Sequence, residues 1–263
     1  MKHSISTYRC LIVAAALCAV SLVAPAYAAD GAKTQWEITP YAWTAGLSGD
    51  VAVRGVTLPV DVDFSDVSDK VDSAFAIHAT GRKPDSNWGT SVDFLYLKLG
   101  GERDFPLPGV TVTVEMKQLM VELAALYSPK TDLELQEAWE AGEKAIPYSL
   151  IVGARYIAMD NSISLSSGPS GSANEGWVEP MIGVVTRLPV SGKLSVALRG
   201  DIGGFGVAQS QFTSNVLVDF RYQFSKTKWM NLGYRSLSVD TLDNGEGGDI
   251  TMAGAIFGIT SQF

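Results

Sequence analysis

Charged residues recur at alternate positions inside apolar segments of this chain, and chemistry is to be sought there first. Arg199 and Asp201 lie two apart, as do Asp219 and Arg221, each pair set among valine, leucine, isoleucine or phenylalanine. His78, Arg82, Asp93, Glu122, Arg155, Glu179, Arg187 and Arg235 occupy equivalent positions in other segments. Alternate side chains of an extended strand share a face, so all of these residues would gather on one wall. Folding back around Ser210 arranges Arg199, Asp201, Asp219 and Arg221 as a checkerboard. A symmetric register sets Asp201 beside Asp219 and Arg199 beside Arg221, with opposite charges on the diagonals. Sliding by two residues puts opposite charges directly across. Such a network can fill an interior with paired charges, because an unpaired buried charge is very costly. The same groups left unpaired would form a constriction that filters solutes. Pairing is the preferred reading.

His78 is the one histidine after residue 28, and Thr80 shares its face. A base and a hydroxyl are two components of an acyl-transfer site, which also needs oxyanion donors. Spacing alone supplies no geometry, so a histidine paired with a carboxylate is expected instead. Two acidic runs are oxygen-rich: Asp61, Asp63, Asp66, Asp69 and Asp72, and then Asp240, Asp243, Glu246 and Asp249 among glycines. Oxygen ligands suit calcium or magnesium. Neither run has EF-hand spacing, so these are weak metal candidates, and solvated, mutually repelling loops are expected. No cofactor is called for.

The elements that must position these groups are strands. In 148–158 the outward set is Tyr148, Leu150, Val152, Ala154 and Tyr156. In 178–188, Val178, Pro180, Ile182, Val184 and Leu188 oppose Glu179, Gly183 and Arg187. Leu194, Val196, Leu198 and Ile202 oppose Ser195, Arg199 and Asp201, while Val216, Val218, Phe220, Tyr222 and Phe224 oppose Asn215, Asp219, Arg221 and Gln223. The last segment, 250–263, ends on Phe263 with Ile259 and Phe257 on the same face. Further strands are expected over 35–47, 73–83, 88–99, 110–128 and 229–239. The 110–128 segment changes phase near Met116, which predicts a bulge or an end above the bilayer.

Apolar-out, polar-in alternation of this length is the signature of a membrane-spanning barrel. No segment after residue 28 is apolar for long enough to span as a helix, and in a bilayer only helices and closed barrels satisfy every backbone amide. The fold class expected is an all-β, antiparallel, up-and-down transmembrane barrel of about ten strands, with eight or twelve as alternatives. Residues 49–64 are read as an extension of the first hairpin beyond the membrane.

The N-terminus has the features of an export signal: basic Lys2 and Arg9, an apolar run over 11–23, and Ala26-Tyr27-Ala28 before the cleavage point. Residues 1–28 are therefore expected to be removed, leaving 29–263 as the barrel. Cys10 and Cys18 fall inside the signal, and neither follows the small residue a lipoprotein requires. The remainder has no thiol chemistry. Removing Lys2 and Arg9 from 20 basic against 28 acidic residues leaves a net charge near −10, which argues against nucleic acid as a partner.

Tight connections at 84–87, 191–193 and 225–227 alternate with longer ones, as periplasmic turns alternate with extracellular loops. Trp36, Trp88 and Trp229 open rising strands at that turn end, and Tyr222 and Phe224 close a descending one, so an interfacial aromatic girdle is expected there. The long connection 129–147 breaks the pattern. Thr131 with Glu134 forms a capping box, and Leu135 and Trp139 stand one turn apart. A short helix against the barrel rim or membrane is expected; docking of a periplasmic partner is the alternative.

The phrases Trp36-Glu37-Ile38-Thr39-Pro40-Tyr41, Val152-Gly153-Ala154-Arg155-Tyr156, Arg199-Gly200-Asp201-Ile202-Gly203-Gly204-Phe205 and Gly233-Tyr234-Arg235 resemble those of small outer-membrane β-barrel proteins of Gram-negative bacteria, in particular an unassigned short-barrel family. The terminal Phe263 resembles the ending such barrels carry. The resemblance implies an outer-membrane location, contact with membrane lipids and lipopolysaccharide, and recognition of the last strand by the assembly machinery. It implies little about activity. A structural or narrow-pore protein, not an enzyme, is expected, with Arg155, Glu179, Arg187, Arg199, Asp201, Asp219, Arg221 and Arg235 as its lumen charges. The runner-up is a lipid-modifying enzyme, since His78-Ala79-Thr80 faintly resembles the His-x-Ser pair of lipid A deacylases.

Overall fold

The computed structural model describes residues 33–53, 56–68, 70–104, 111–143, 145–166, 170–241 and 247–263. The expected signal, 1–28, lies outside them. The chain runs through β1 (Gln35–Val53), β2 (Val56–Val62), a short helix α1 (Phe64–Ser68), β3 (Val71–Arg82), β4 (Trp88–Asp104), β5 (Thr111–Tyr127), helix α2 (Asp132–Glu140) and β6 (Tyr148–Leu165). It continues through β7 (Ser170–Pro189), β8 (Leu194–Val207), β9 (Ser210–Ser225), β10 (Lys228–Asp240) and β11 (Gly247–Gln262). Each strand from β3 to β11 pairs antiparallel with the next, and β1 joins β3 to β11. Ten strands thus close an up-and-down barrel. The remaining strand, β2, pairs only with β1, over Leu47–Val53, and is the extension expected of residues 49–64.

Alternation explains why these segments are strands. Leu150, Val152, Ile182, Val184, Phe220, Leu232, Phe257 and Ile259 are exposed large apolar side chains on the outer wall. Their chain neighbours Ile151, Ile256 and Thr260 are buried inside. Only lipid makes such an outer surface favourable. No described helix is long and apolar enough to cross a membrane. Most strands run beyond the expected bounds at the end opposite the short turns. Above the bilayer one face no longer has to be apolar, and periodicity loses its signal. The phase change in β5 is of this kind: the ladders to β4 and β6 run without a register shift from Val112 to Tyr127, so an end above the bilayer, not a bulge, accounts for it.

At the turn end, Trp36, Trp88, Tyr127, Tyr148, Tyr222, Phe224 and Phe263 are exposed on the outer wall as a girdle. Trp88 packs on Tyr127, its partner across the ladder, with ring centroids 4.9 Å apart. Trp36 lies over Gly81, where an added Cβ would come within 2.7 Å of the indole, so a side chain at 81 would displace the ring from this position. Trp229 does not belong to the girdle. Met230, Leu232 and Tyr234 take the outer face of β10, so Trp229 points inward, beneath the guanidinium of Arg221 at 5.4 Å. Placement at a strand start ranked it with Trp36 and Trp88; parity decides otherwise.

β1 is held unevenly. It pairs with β11 from Glu37 to Ala52, with β3 only over Gln35–Pro40, and with β2 over Leu47–Val53. Between those two ladders, residues 41–46 have no strand paired on that side among the described residues, and neither do residues 71–76 of β3 on the side facing β1. Pairing with β3 stops at Pro40, which has no amide hydrogen to give. The backbone at Val62–Phe64, entering α1, lies against Gly46 at the top of the interruption.

Candidate functional site

Inward-facing residues stack in three layers. The layer farthest from the short turns is apolar: Leu95, Met120, Ile157, Trp177, Leu237, Val239 and Met252 are buried together, with Trp43, Ala45 and Leu47 packed against them. The sequence does not single out these residues, because they carry no charge to mark an inward position among apolar neighbours. Their parity with Asp93, Glu122, Arg155, Glu179 and Arg235 was the available signal.

The second layer is ionic. Arg155 has no exposed surface, and its guanidinium donates to Glu122 Oε1 at 2.8 Å, Glu179 Oε1 at 3.1 Å and Asp201 Oδ1. Arg199 donates to Glu122 Oε2 and Asp201 Oδ2, both at 2.7 Å. Arg235 donates to Asp93 Oδ2 at 2.9 Å, Glu122 Oε1 at 3.3 Å and Asn215 Oδ1 at 2.9 Å, and it stands 5.2 Å over the Trp43 ring. Three arginines thus face the four carboxylates of Asp93, Glu122, Glu179 and Asp201. Neutral donors complete the set: Tyr41 to Asp93, Trp177 and Thr213 to Glu179, and Asn215 to Asp201.

Nearer the turns, Glu37 accepts from Arg187 at 2.8 Å and from Arg221 at 3.1 Å. Asp219 accepts from Asn231 at 2.6 Å. Asp219 Oδ1 and Arg221 Nε are buried with no hydrogen-bond partner among the described residues. Glu37 and Tyr41 were missed as site residues, although both share the inward parity of β1. Below the belt, small inward residues such as Thr39, Thr80, Ser149, Ala197 and Gly258 leave a cavity of about 490 Å³ toward the turn end. The capping box of α2 forms as expected, with Glu134 N donating to Thr131 Oγ1 at 3.2 Å and Thr131 N to Glu134 Oε2 at 2.7 Å. The Thr131 N–H and the Thr131 hydroxyl, which also donates to Glu134 Oε2 at 3.1 Å, hold the Glu134 carboxyl below its ordinary value of 4.5. Leu135 and Trp139 of α2 line the cavity, and Arg82 links helix to wall through Asp132 at 3.8 Å.

The expected checkerboard does not form. β8 and β9 pair Asp201 with Asn215 and Ala197 with Asp219, so Arg199 and Asp201 join the ionic belt while Asp219 and Arg221 sit one layer lower. The reason is the hairpin. It turns at Ala208 instead of Ser210, through positive φ at Gly204, Phe205, Gly206 and Ala208, with a register shift between Gly204 and Val207.

His78 faces Asp93 across the β3–β4 ladder, its Nδ1 3.9 Å from Asp93 Oδ1. Asp249 pairs in register with Asp50 on one side and Asp240 on the other, so the acidic ends of the first and last strands do meet at the closing seam. Asp69, Asp243 and Glu246 lie outside the described residues, and the described residues contain no group of three metal-ligating side chains.

No family model and no curated relative matches the chain. Solved structures do. The outer-membrane protease OmpT of Escherichia coli superposes with a TM-score of 0.53 at 11% identity, covering 88% of this chain and 96% of that one. The translocator domain of the autotransporter NalP of Neisseria meningitidis gives 0.46 at 11% identity, over 98% and 97%. Ail of Yersinia pestis gives 0.37 at 12% identity, over 88% and 99%. At these identities the likeness speaks of fold and not of activity. Together with the closed ladder, the apolar outer wall and the aromatic girdle, the likeness to OmpT makes this chain a β-barrel of the outer-membrane type.

Proposed function

We propose that the barrel is a closed, non-conducting structural protein of the outer membrane, with a lumen filled by paired charge instead of open as a pore. The observation that supports this most is Arg155, fully buried and bonded to carboxylates from β5, β7 and β8. A permeating ion would have to separate those pairs and then cross the apolar layer above them, and both steps are costly. Purified protein reconstituted into planar bilayers should show no stable conductance. Steady single-channel steps in the unmodified protein would overturn the reading in favour of a narrow pore.

The partners proposed are membrane lipids, lipopolysaccharide on the loop side, and the assembly machinery acting on β11. The barrel is taken not to be an enzyme. His78 has Asp93 opposite it, but catalysis requires a base, an activated nucleophile and oxyanion donors together. Turnover of lipid A or phospholipid that disappears in His78→Ala would reverse this view.

A further inference from the structure

The cavity between the ionic belt and the turns is open at one end and closed at the other. Its roof is the belt, with Asp93, Arg199 and Arg235 among the lining groups. Gln35 and Gln262 at the rim line the same space, so it opens on the turn side. Near that mouth the Glu37–Arg187 pair reaches from β1 to β7, strands half the circumference apart in the ten-strand ring. Arg187 is half exposed, and exposed pairs are weakly held, so this bar is easily displaced.

The two sides of the cavity differ. Leu126 of β5 and Val185 of β7, with Leu135 and Trp139 of α2, give one side its apolar character. On the opposite side β9, β10, β11 and β1 present Asp219, Arg221, Asn231, Thr260 and Thr39. Their hydrogen bonds run in one direction. Thr260 Oγ1 donates to Asn231 Oδ1 at 2.9 Å, and Asn231 Nδ2 donates to Asp219 Oδ2 at 2.6 Å. The Thr260 hydrogen is thereby used, so Thr39 is the donor in the 2.8 Å bond between the two threonines. The chain of donors ends on Asp219, whose Oδ1 receives none of them. Arg221, two positions along the same strand face, has its Nε without an acceptor among the described residues. Asp219 is 7% exposed and Arg221 4%.

A buried acceptor and a buried donor left in this way are costly. A carboxylate guest would satisfy Arg221 and repel Asp219, and an ammonium would do the reverse. A hydroxyl satisfies both, because it donates and accepts. Below the belt the lining charges balance, Arg82, Arg187 and Arg221 against Glu37, Asp132 and Asp219, so this part of the wall favours neither sign. A bridging water occupies only about 30 Å³, whereas the cavity, about 490 Å³, has the size of small-molecule sites. A ring with hydroxyls on its edge and C–H groups on its face matches both sides at once.

We propose that the cavity is a binding site, entered from the turn side, for one neutral ring of the sugar class. Its hydroxyls meet Asp219 Oδ1 and Arg221 Nε, and its C–H face lies toward Leu126, Leu135 and Trp139. The site stands whether or not the lumen conducts.

Saturation-transfer NMR tests this on the folded barrel, in micelles of a detergent without a sugar headgroup. The probes are glucose, N-acetylglucosamine and myo-inositol, with glucuronate and glucosamine as charged counterparts. At least one neutral probe should bind, and both charged rings should bind at least threefold more weakly. Asp219→Ala should weaken that binding at least tenfold. Ala197→Phe, which fills the space beside Asp219 from the neighbouring strand, should do the same, and it keeps the test open if Asp219→Ala does not fold. Dextran matched to glucose in chain ends separates two sources of such a ring: equal binding assigns the end of a glycan, and weaker binding a free sugar. Absence of binding by every neutral probe, tighter binding of a charged ring, or binding untouched by both substitutions would overturn the proposal.

Discussion

At the scale of the residue, Arg155 is the group on which the interior turns. It holds three carboxylates that have no exposed route to solvent, so removing it strands negative charge instead of deleting one contact. Arg155→Met should destabilise the folded barrel by about 3–5 kcal/mol, the cost typical of breaking a buried ionic network from one side. Arg187, 48% exposed and also paired with a carboxylate, gives the contrast: Arg187→Ala should cost less than about 1 kcal/mol. Denaturant unfolding in detergent, followed by heat-modifiable migration, measures both. The members of the network were legible from parity alone. Their partners were not, because partnership depends on register, and the register of β8 on β9 was set by a positive-φ turn in which Gly204 and Gly206 announce themselves but Phe205 and Ala208, at its centre, do not. Ala and Phe at positive φ carry none of the signal that Gly or Asn would have carried.

At the scale of the element, α2 is an unusual item on the turn side, a helix where short loops prevail. Thr131→Ala removes its N-cap and should destabilise the segment by about 1 kcal/mol, seen as faster amide exchange over 132–140 with the strands unchanged. Its pH dependence has a defined sign. The Glu134 carboxyl is held below its ordinary value by the Thr131 N–H and hydroxyl, so its stabilising contribution is complete above that ordinary value. The contribution is lost as pH falls through the lowered value of the folded helix. Amide protection of α2 should therefore weaken on acidification, and Glu134→Gln should flatten the response. This helix was readable because a capping box is a local pattern, complete within four residues. The strands were readable only where lipid imposed alternation on them. Their extensions, such as Ser170–Gly176 of β7 and Gly100–Asp104 of β4, have no such pressure and no such pattern.

At the scale of the molecule, the closed ladder predicts behaviour on detergent gels. Unheated protein should migrate differently from boiled protein, since backbone amides bonded around a ring resist detergent until heated. Deleting Phe263, which exchanges backbone bonds with Trp36 at 2.9 and 3.2 Å, should lower the yield of the unheated form. Equal migration of heated and unheated samples, or purification as a monomer without detergent, would contradict the fold.

The uneven hold on β1 has a consequence for how the barrel comes into being. The first strand shares a long ladder with the last one, across a separation such as Glu37 to Gln262, and only short ladders with β2 and β3, which follow it in sequence. Until β11 has been made and delivered, β1 is a long strand with one margin bare and the other only part-covered by β2 and β3, and bare margins invite the wrong partner. The opening strand must therefore wait for the closing one, and a chain cut short anywhere before Gly247 is left without a clasp. Completion of the polypeptide and sealing of the ring become a single event. A cell that withholds insertion until the terminal strand arrives would thereby reject each unfinished copy.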